Sequence, residues 1–334
     1  MNYEFYMQKC LELASASEGY VSPNPLVGCV IVDDTGEIIA QGRHEKYGEA
    51  HAEPNALKLA GSKAKGATLF VNLEPCNHYG KTPPCSKAII EAGIKKVVIG
   101  ARDTSKKASG GAESLRNAGI EVVENVLEKE CKKLNEFFFF SLTHKRPFIA
   151  IKTATTLDGK IAAADGSSKW ITSEHARSEV QRLRNKYDAI LTTAKTVQID
   201  DPSLTCRMDG GRNPLRIIID KYSVLDNSYK VFNNDAQVIW QKGEFNEEFA
   251  QYLYSQNVRS ILVEAGGSFC GSLLKQDLVD KIYHFIAPKI LGNDDSVSFL
   301  NGLDVQNINA AKNFEVASIK SFSPDMMLEL YPKL

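Results

Sequence analysis

"HAEPNALKLAGSKAKGATLFVNLEPCNHYGKTPPC", residues 51–85, begins with a histidine and a glutamate two positions apart and ends on the second of two cysteines, each preceded by proline. Its spacing predicts a helix over EPNALKLA (53–60) and a strand over ATLFVNL (67–73). SKAIIEAG (86–93) follows as a helix closed by Gly93. His51 and Cys85 thus each stand just before a helix, and Cys76 lies in a turn-rich loop after the strand. A helix N-terminus stabilises negative charge. That favours a thiolate at Cys85, and at Cys76 as well if its loop folds back to the same place.

The same alternation extends outward. Residues 5–16 carry a helical apolar pattern, and VGCVIVDD (27–34) reads as a strand followed by the turn signal TGE. KVVIGA (96–101) is a strand, and SLRNAG and IEVVENV repeat helix and strand. Helices between buried, β-branched strands predict a sheet covered on both faces. A helix over about 127–142 closes this part, with the run Phe137–Phe140 assigned to the core. HKRP (144–147) is the expected joint, which divides the chain into domains 1–144 and 145–334. A length of 334 residues suits two domains.

Composition narrows the function. Hydrophobic residues make up 43% and charged ones 24%, enough for buried cores, and 40 basic against 41 acidic residues leave a net charge of −1. Such a balance creates no field for gathering nucleic acid or anionic membrane. No apolar run has the length of a signal peptide or membrane span, so a cytoplasmic protein is expected. The seven cysteines, odd in number and thinly spread, argue against a disulfide framework.

Chemistry singles out two of them. Zinc takes histidine nitrogen and cysteine sulfur, and a catalytic zinc site has three protein ligands with one position open. His51, Cys76 and Cys85 supply that set. Glu53 is too near His51 to be an obvious ligand, and is well placed to move a proton between water and a leaving group. HAE and EPC fit the zinc-deaminase signature H-x-E followed by P-C-x-x-C, except that eight residues, NHYGKTPP, separate the cysteines. A structural zinc site with His78 as fourth ligand, or no metal, is the alternative at this point.

The second half reads separately. FIAIKTA (148–154) is a strand, and SEHARSEVQRLRNK (173–186) is a helix with Ser173 as N-cap. DAILTTA, PLRIIID, AQVIWQ, RSILVEAGG and KIYHFIAP are strands, and the chain is expected to end in two antiparallel ones. In SILVEAGGSFCGSLL a strand runs through glycines into a helix, a turn that lets backbone N–H groups approach a phosphate. It is not G-x-G-x-x-G, so no Rossmann fingerprint is present.

"VSPNPLVGCVIVDD", "GEAHAEPNAL", "NLEPCNHYGKTPPCSKAIIEAGI" and "LNEFFFF", then "IKTATTLDGKIAAADGSSKWITS", "LRNKYDAILTTAKTVQIDDPSLTCR", "PLRIIID" and "VDKIYHFIAPKILG", closely resemble the bacterial bifunctional riboflavin-biosynthesis enzymes. That family joins a pyrimidine deaminase to a reductase, and the resemblance covers nearly the whole chain in order. It implies an α/β protein with a cytidine-deaminase-like three-layer α/β/α domain and a dihydrofolate-reductase-like α/β domain. His51, Cys76 and Cys85 would hold zinc and Glu53 would shuttle the proton, while Asn24, His44 and Lys81 would face the pyrimidine. In the reductase half Ala154, Trp170, Thr196, Asp200 and the stretch Gly266, Gly267, Ser268, Phe269, Cys270, Gly271 and Ser272 would meet NADPH. Ser168, Arg184, Leu204, Arg207 and Glu264 would meet the phosphorylated ribosylaminopyrimidine, with Arg184 and Arg207 as a phosphate clamp. Lys152, Asp200 and Glu264 would manage protons. Deamination would precede reduction of the ribosyl group to ribityl. A homo-oligomer is expected, and no nucleic-acid or membrane partner.

Two departures from the family's pattern stand out. It usually reads Asp-Pro-Asn-Pro after KVVIGA, where this chain has RDTSKKASGG (102–111), and EAGG replaces the commoner Glu-Gly-Gly. Two rival classes are a nucleotide or tRNA deaminase with an accessory C-terminal domain, and a non-enzymatic zinc-stabilised binding protein. The first, acting on tRNA, should show basic clusters that this chain lacks. The second demands four protein ligands.

Overall fold

The computed structural model describes residues 1–80, 83–105 and 108–333. The chain divides into two compact units, Met1–Lys145 and Arg146–Leu334.

The first unit runs α1 (Tyr3–Ser15), β1 (Gly28–Val32), β2 (Ile38–Arg43), α2 (Ala52–Ala60), β3 (Thr68–Leu73), α3 (Cys85–Glu91), β4 (Lys96–Ala101), α4 (Gly111–Asn117), β5 (Glu121–Val123), α5 (Glu128–Leu134) and α6 (Glu136–His144). Among the described residues its sheet has the order β2-β1-β3-β4-β5, with β1 antiparallel to both neighbours and the remaining pairs parallel. Alternate residues of each strand face opposite layers. Cys29, Ile31, Leu69, Val71, Val97 and Ile99 pack with α2, α3 and α4. Val30, Val32, Phe70 and Val98 pack with α1 and Cys131 of α5. The expected three-layer arrangement is therefore present.

In this unit β2 is the strand that the sequence reading missed. IIAQGR carries little alternation, and its fit depends on Gly42, where an added Cβ would lie 2.5 Å from the Ala52 oxygen. The glycine lets α2 lie directly on the sheet, which fixes the start of the helix that carries Glu53.

The helix expected over 127–142 is broken in two. Asn135 sits between α5 and α6 with φ −101° and ψ 28°. Its side chain accepts from the Leu26 N–H (2.7 Å) and donates to the Leu26 carbonyl (2.9 Å). A tertiary bond to a distant loop has overridden local propensity. Phe138 and Phe139 are only partly buried against the core, so the phenylalanine run lies at its margin.

The second unit runs β6 (Phe148–Thr156), β7 (Lys160–Ala162), α7 (Glu174–Lys186), β8 (Ala189–Thr193), α8 (Ala194–Asp200), β9 (Leu215–Ile219), β10 (Val238–Gln241), α9 (Glu247–Ser255), β11 (Ser260–Val263), α10 (Gly267–Lys275), β12 (Lys281–Ala287), β13 (Val297–Ser298), β14 (Phe314–Phe322) and β15 (Asp325–Pro332). Among the described residues the large sheet has the order β10-β9-β8-β11-β6-β12-β15-β14, and β7 pairs separately with β13. Strands β10 through β12 are mutually parallel; β15 and β14 are antiparallel additions, as expected for the chain end. One face buries Ile149, Ile151 and Val263 against α9 and α10, and Ser173 caps α7 by accepting from the Ala176 N–H at 3.3 Å. In parallel sheets ligands gather beyond the carboxyl ends of the strands, here the ends of β6, β8 and β11.

Candidate functional site

In the first unit the end of β3 and the starts of α2 and α3 converge. His51 is the N-cap residue of α2, yet its side chain makes no capping bond. Its Nδ1 lies 3.6 Å from Cys76 Sγ and 3.3 Å from Cys85 Sγ, and the three ligand atoms are all within 4.8 Å of one another. Tetrahedral zinc with ordinary Zn–N and Zn–S bond lengths would place nitrogen and sulfur about 3.5 Å apart, so the donor set fits. This is the one such cluster among the described residues, and His78 is not part of it. Three ligands with one position open are what a catalytic site needs, and a closed structural site is not formed.

The electrostatics agree. The Cys76 thiol is pulled down to about 4, chiefly by its bond with Cys85 and further by His51, while the same sharing and burial push Cys85 up. Two thiols that share one proton become two thiolates once a cation stands between them. Glu53, 3% exposed in the first turn of α2, has its carboxyl raised by burial and touches Cys85.

Beside this cluster the buried His44 ring stands against His51, with centroids 5.2 Å apart. His44 Nδ1 lies 3.0 Å from the Ala50 carbonyl, which can only accept, so Nδ1 carries the proton. Nε2 therefore accepts from Asn24 Nδ2 at 3.1 Å. Burial lowers the His44 pKa, which maintains the neutral ring. Asn24 keeps its carbonyl oxygen and one N–H for a ligand. Lys81 lies outside the described residues.

Three supporting residues escaped the sequence reading. Asn72 on β3 donates to the Leu26 carbonyl (2.9 Å) and accepts from the Gly28 N–H (2.8 Å); with Asn135 it grips the backbone just after Asn24. Buried Glu74 accepts from the N–H groups of Asp103, Gly110 and Ala112 at 3.1, 3.1 and 3.0 Å. It thereby holds the departing 102–111 loop, whose prolines are missing. Buried polar residues flanking a ligand are the signal that could have found them; without a fold their partners are not legible.

In the second unit Arg184 and Glu264 form a paired bridge, Nε to Oε1 at 2.8 Å and Nη2 to Oε2 at 2.9 Å, at 11% and 14% side-chain exposure. Arg184 Nη1 also donates to the Thr205 carbonyl at 3.0 Å. Glu264 is held at about 2: burial opposes its charge, and Arg184, Lys152 and Arg207 outweigh burial. Burial lowers Lys152. Three cations around one carboxylate leave the spot positive, as an anionic ligand requires. The Arg184 fork is closed on Glu264, whereas Arg207 is exposed.

Other expected contacts divide. Ala154 shares the Lys152 face of β6. Trp170 is 62% exposed, with the Arg177 guanidinium 4.4 Å from its ring centre; Ser168, two residues before it, is half-buried. Thr196 is half-buried, 3.3 Å from the Thr193 hydroxyl. Leu204 is buried in a core cluster with Ile190 and Val197. Asp200 is exposed at the end of α8, and among the described residues no hydrogen bond or ion pair joins it to Lys152 or Glu264.

Within residues 266–272, Gly266 faces open space and Ser268 and Ser272 are exposed, whereas Gly267, Cys270 and Gly271 are buried and Phe269 packs on the core. A Cβ on Gly271 would lie 1.8 Å from the Asn301 oxygen, and one on Gly267 2.6 Å from the Ser298 oxygen. These two glycines let residues 298–301 pack closely on α10. Gly271→Ala is expected to overpack this seam and cost about 1–3 kcal/mol, seen as a lower melting temperature of the second unit.

Comparison with known proteins bears on both halves. Residues 1–101 match the cytidine and deoxycytidylate deaminase zinc-binding region, and residues 147–328 match the RibD C-terminal domain. The riboflavin biosynthesis protein RibD of Aquifex aeolicus is 41% identical over 347 residues, covering 97% of this chain and 96% of that protein.

The chain belongs to the RibD family.

The Escherichia coli RibD is 37% identical, with 99% of each chain covered. Two solved structures superpose over 99% of both chains. One is a Thermotoga maritima diaminohydroxyphosphoribosylaminopyrimidine deaminase/5-amino-6-(5-phosphoribosylamino)uracil reductase, 42% identical with a TM-score of 0.92. The other is Acinetobacter baumannii RibD, 34% identical with a TM-score of 0.93. As a RibD, this chain is a bifunctional deaminase and reductase of riboflavin biosynthesis, with zinc and NADPH as the cofactors of its halves. The C-terminal unit is a reductase domain, so the accessory-domain reading is not favoured. Among the described residues no helix is long and apolar enough to cross a membrane.

Proposed function

We propose that the first unit deaminates 2,5-diamino-6-(5-phosphoribosylamino)pyrimidin-4(3H)-one and that the second reduces the ribosyl group of 5-amino-6-(5-phosphoribosylamino)uracil to ribityl. The observation that carries this reading is the pairing of a three-ligand cluster beside a buried glutamate with a separate cationic cluster around Glu264. His51, Cys76 and Cys85 hold the zinc, which when bound makes water a nucleophile at neutral pH. Glu53 takes a proton from that water and returns it to the departing amine. Asn24, oriented by His44, grips the pyrimidine edge; Lys81 is assigned to the same pocket on kinship alone.

In the second unit NADPH supplies the reducing equivalent. Its contacts are Ala154, Trp170, Thr196, Asp200, Gly266 and the first turn of α10. Arg207 receives the substrate phosphate, and Lys152 hands a proton to the opening sugar while Glu264 balances its charge. Asp200 is assigned to cofactor positioning, because it stands exposed and, among the described residues, no hydrogen bond or ion pair joins it to Lys152. A cytoplasmic homo-oligomer completes the proposal; β14 is an edge strand with Val316 and Ile319 exposed, a face that a second copy would cover.

The test is to supply the diaminopyrimidine phosphate and follow ammonia release and NADPH oxidation in one reaction. Both are expected, ammonia first, with NADPH preferred over NADH. Ammonia release without NADPH oxidation, or equal use of NADH, would count against the second half of the reading.

A further inference from the structure

Eight residues part Cys76 from Cys85, whereas the compact form of the signature has two. A two-residue turn fixes both sulfurs by itself. A longer connection does not, because the entropy of closing it rises with its length. Something else must hold the two thiols together, and the structure shows what does.

The turn after Cys76 is tied to the start of α3 by three bonds. The Cys85 N–H donates to Cys76 Sγ at 3.4 Å, and the Ser86 N–H donates to the Cys76 carbonyl at 3.2 Å. The Ser86 hydroxyl donates to Asn77 Oδ1 at 2.8 Å. Ser86 is 1% exposed. A serine beside a helix start usually bonds that helix's own N–H groups; this one reaches out to the loop. From the other side the Asn77 N–H donates to the Ala108 carbonyl at 3.0 Å, within the loop that Glu74 holds.

We propose that Ser86 and Asn77 are positioning residues of the metal centre: their side-chain bond locks the Cys76 turn against α3 and sets the two thiols at ligating distance in place of a short spacer. The inference rests on the reading that His51, Cys76 and Cys85 hold zinc.

Zinc affinity, measured by competition with a chromophoric chelator, tests it in the full-length protein. Ser86→Ala and Asn77→Ala are each expected to weaken zinc binding by about 10–100-fold, the usual effect of losing an outer-shell partner. Asn77→Asp, which keeps an acceptor oxygen for the serine, is expected to bind like the wild type. Melting of the zinc-stripped proteins should be the same for all, because the bond matters for ligand spacing and not for the fold. An unchanged zinc affinity in Ser86→Ala, or an affinity in Asn77→Asp as low as in Asn77→Ala, overturns the inference. So does a lower melting temperature of zinc-stripped Ser86→Ala that accounts for its loss of affinity. A wild-type chain that takes up no zinc overturns the metal reading itself, an outcome distinct from the others.

Discussion

Glu53→Gln is expected to lower ammonia release by about 10²–10⁴-fold, the usual contribution of a positioned general acid–base, while the chain keeps its zinc. Glu53 contributes no atom to the three-ligand cluster, so the metal should stay. Glutamine has nearly the same size, and a neutral amide is cheaper to bury than a carboxylate, so the fold should not suffer. The groups proposed for reduction all belong to the other unit, Arg146–Leu334. The variant given the deaminated intermediate should therefore oxidise NADPH at the wild-type rate. Zinc content, ammonia and NADPH are measured on one preparation. If a folded, zinc-loaded Glu53→Gln also fails to reduce the intermediate, the two-site reading is wrong.

Glu264→Gln is expected to do the reverse, and to weaken the reductase unit as well. Glu264 is the carboxylate that three cations share, and Arg184 and Lys152 would be left partly desolvated without it. Removing one partner of a buried pair typically costs about 3–5 kcal/mol. In a unit of this size each kcal/mol moves the melting temperature by roughly 2–4 °C, so a fall of roughly 10 °C is expected. Calorimetry reads it, and ammonia release at a temperature where both units are folded should be normal. A melting temperature within a degree or so of the wild type would show that Arg184 and Lys152 do not depend on this carboxylate.

The parts of this molecule that were legible in its sequence are those set by local pattern. The helix–strand alternation gave the layers of the first unit, and a histidine and two cysteines at helix starts and a strand end gave the metal cluster. The parts that escaped depend on contacts between distant segments. No periodicity announces that Asn135 will leave a helix to bond Leu26, or that Gly42 makes room for α2. Nor does a glycine announce its purpose: a phosphate and a neighbouring chain segment make the same demand, an absent side chain, and only the fold shows residues 298–301 against Gly267 and Gly271. The Arg184 partner was illegible for a similar reason: an arginine suited to phosphate is equally suited to an internal carboxylate, and only the fold shows that Glu264 is near.

The grip of Asn72 on Leu26 has a consequence for how such enzymes diverge. Asn72 holds the loop that presents Asn24, and four residues further along the same chain comes Cys76. Asn72 thus ties the Asn24 loop to the strand whose end leads into the metal cluster. A change that shifts the end of β3 therefore moves the Asn24 loop and Cys76 together, so the two do not drift apart one substitution at a time.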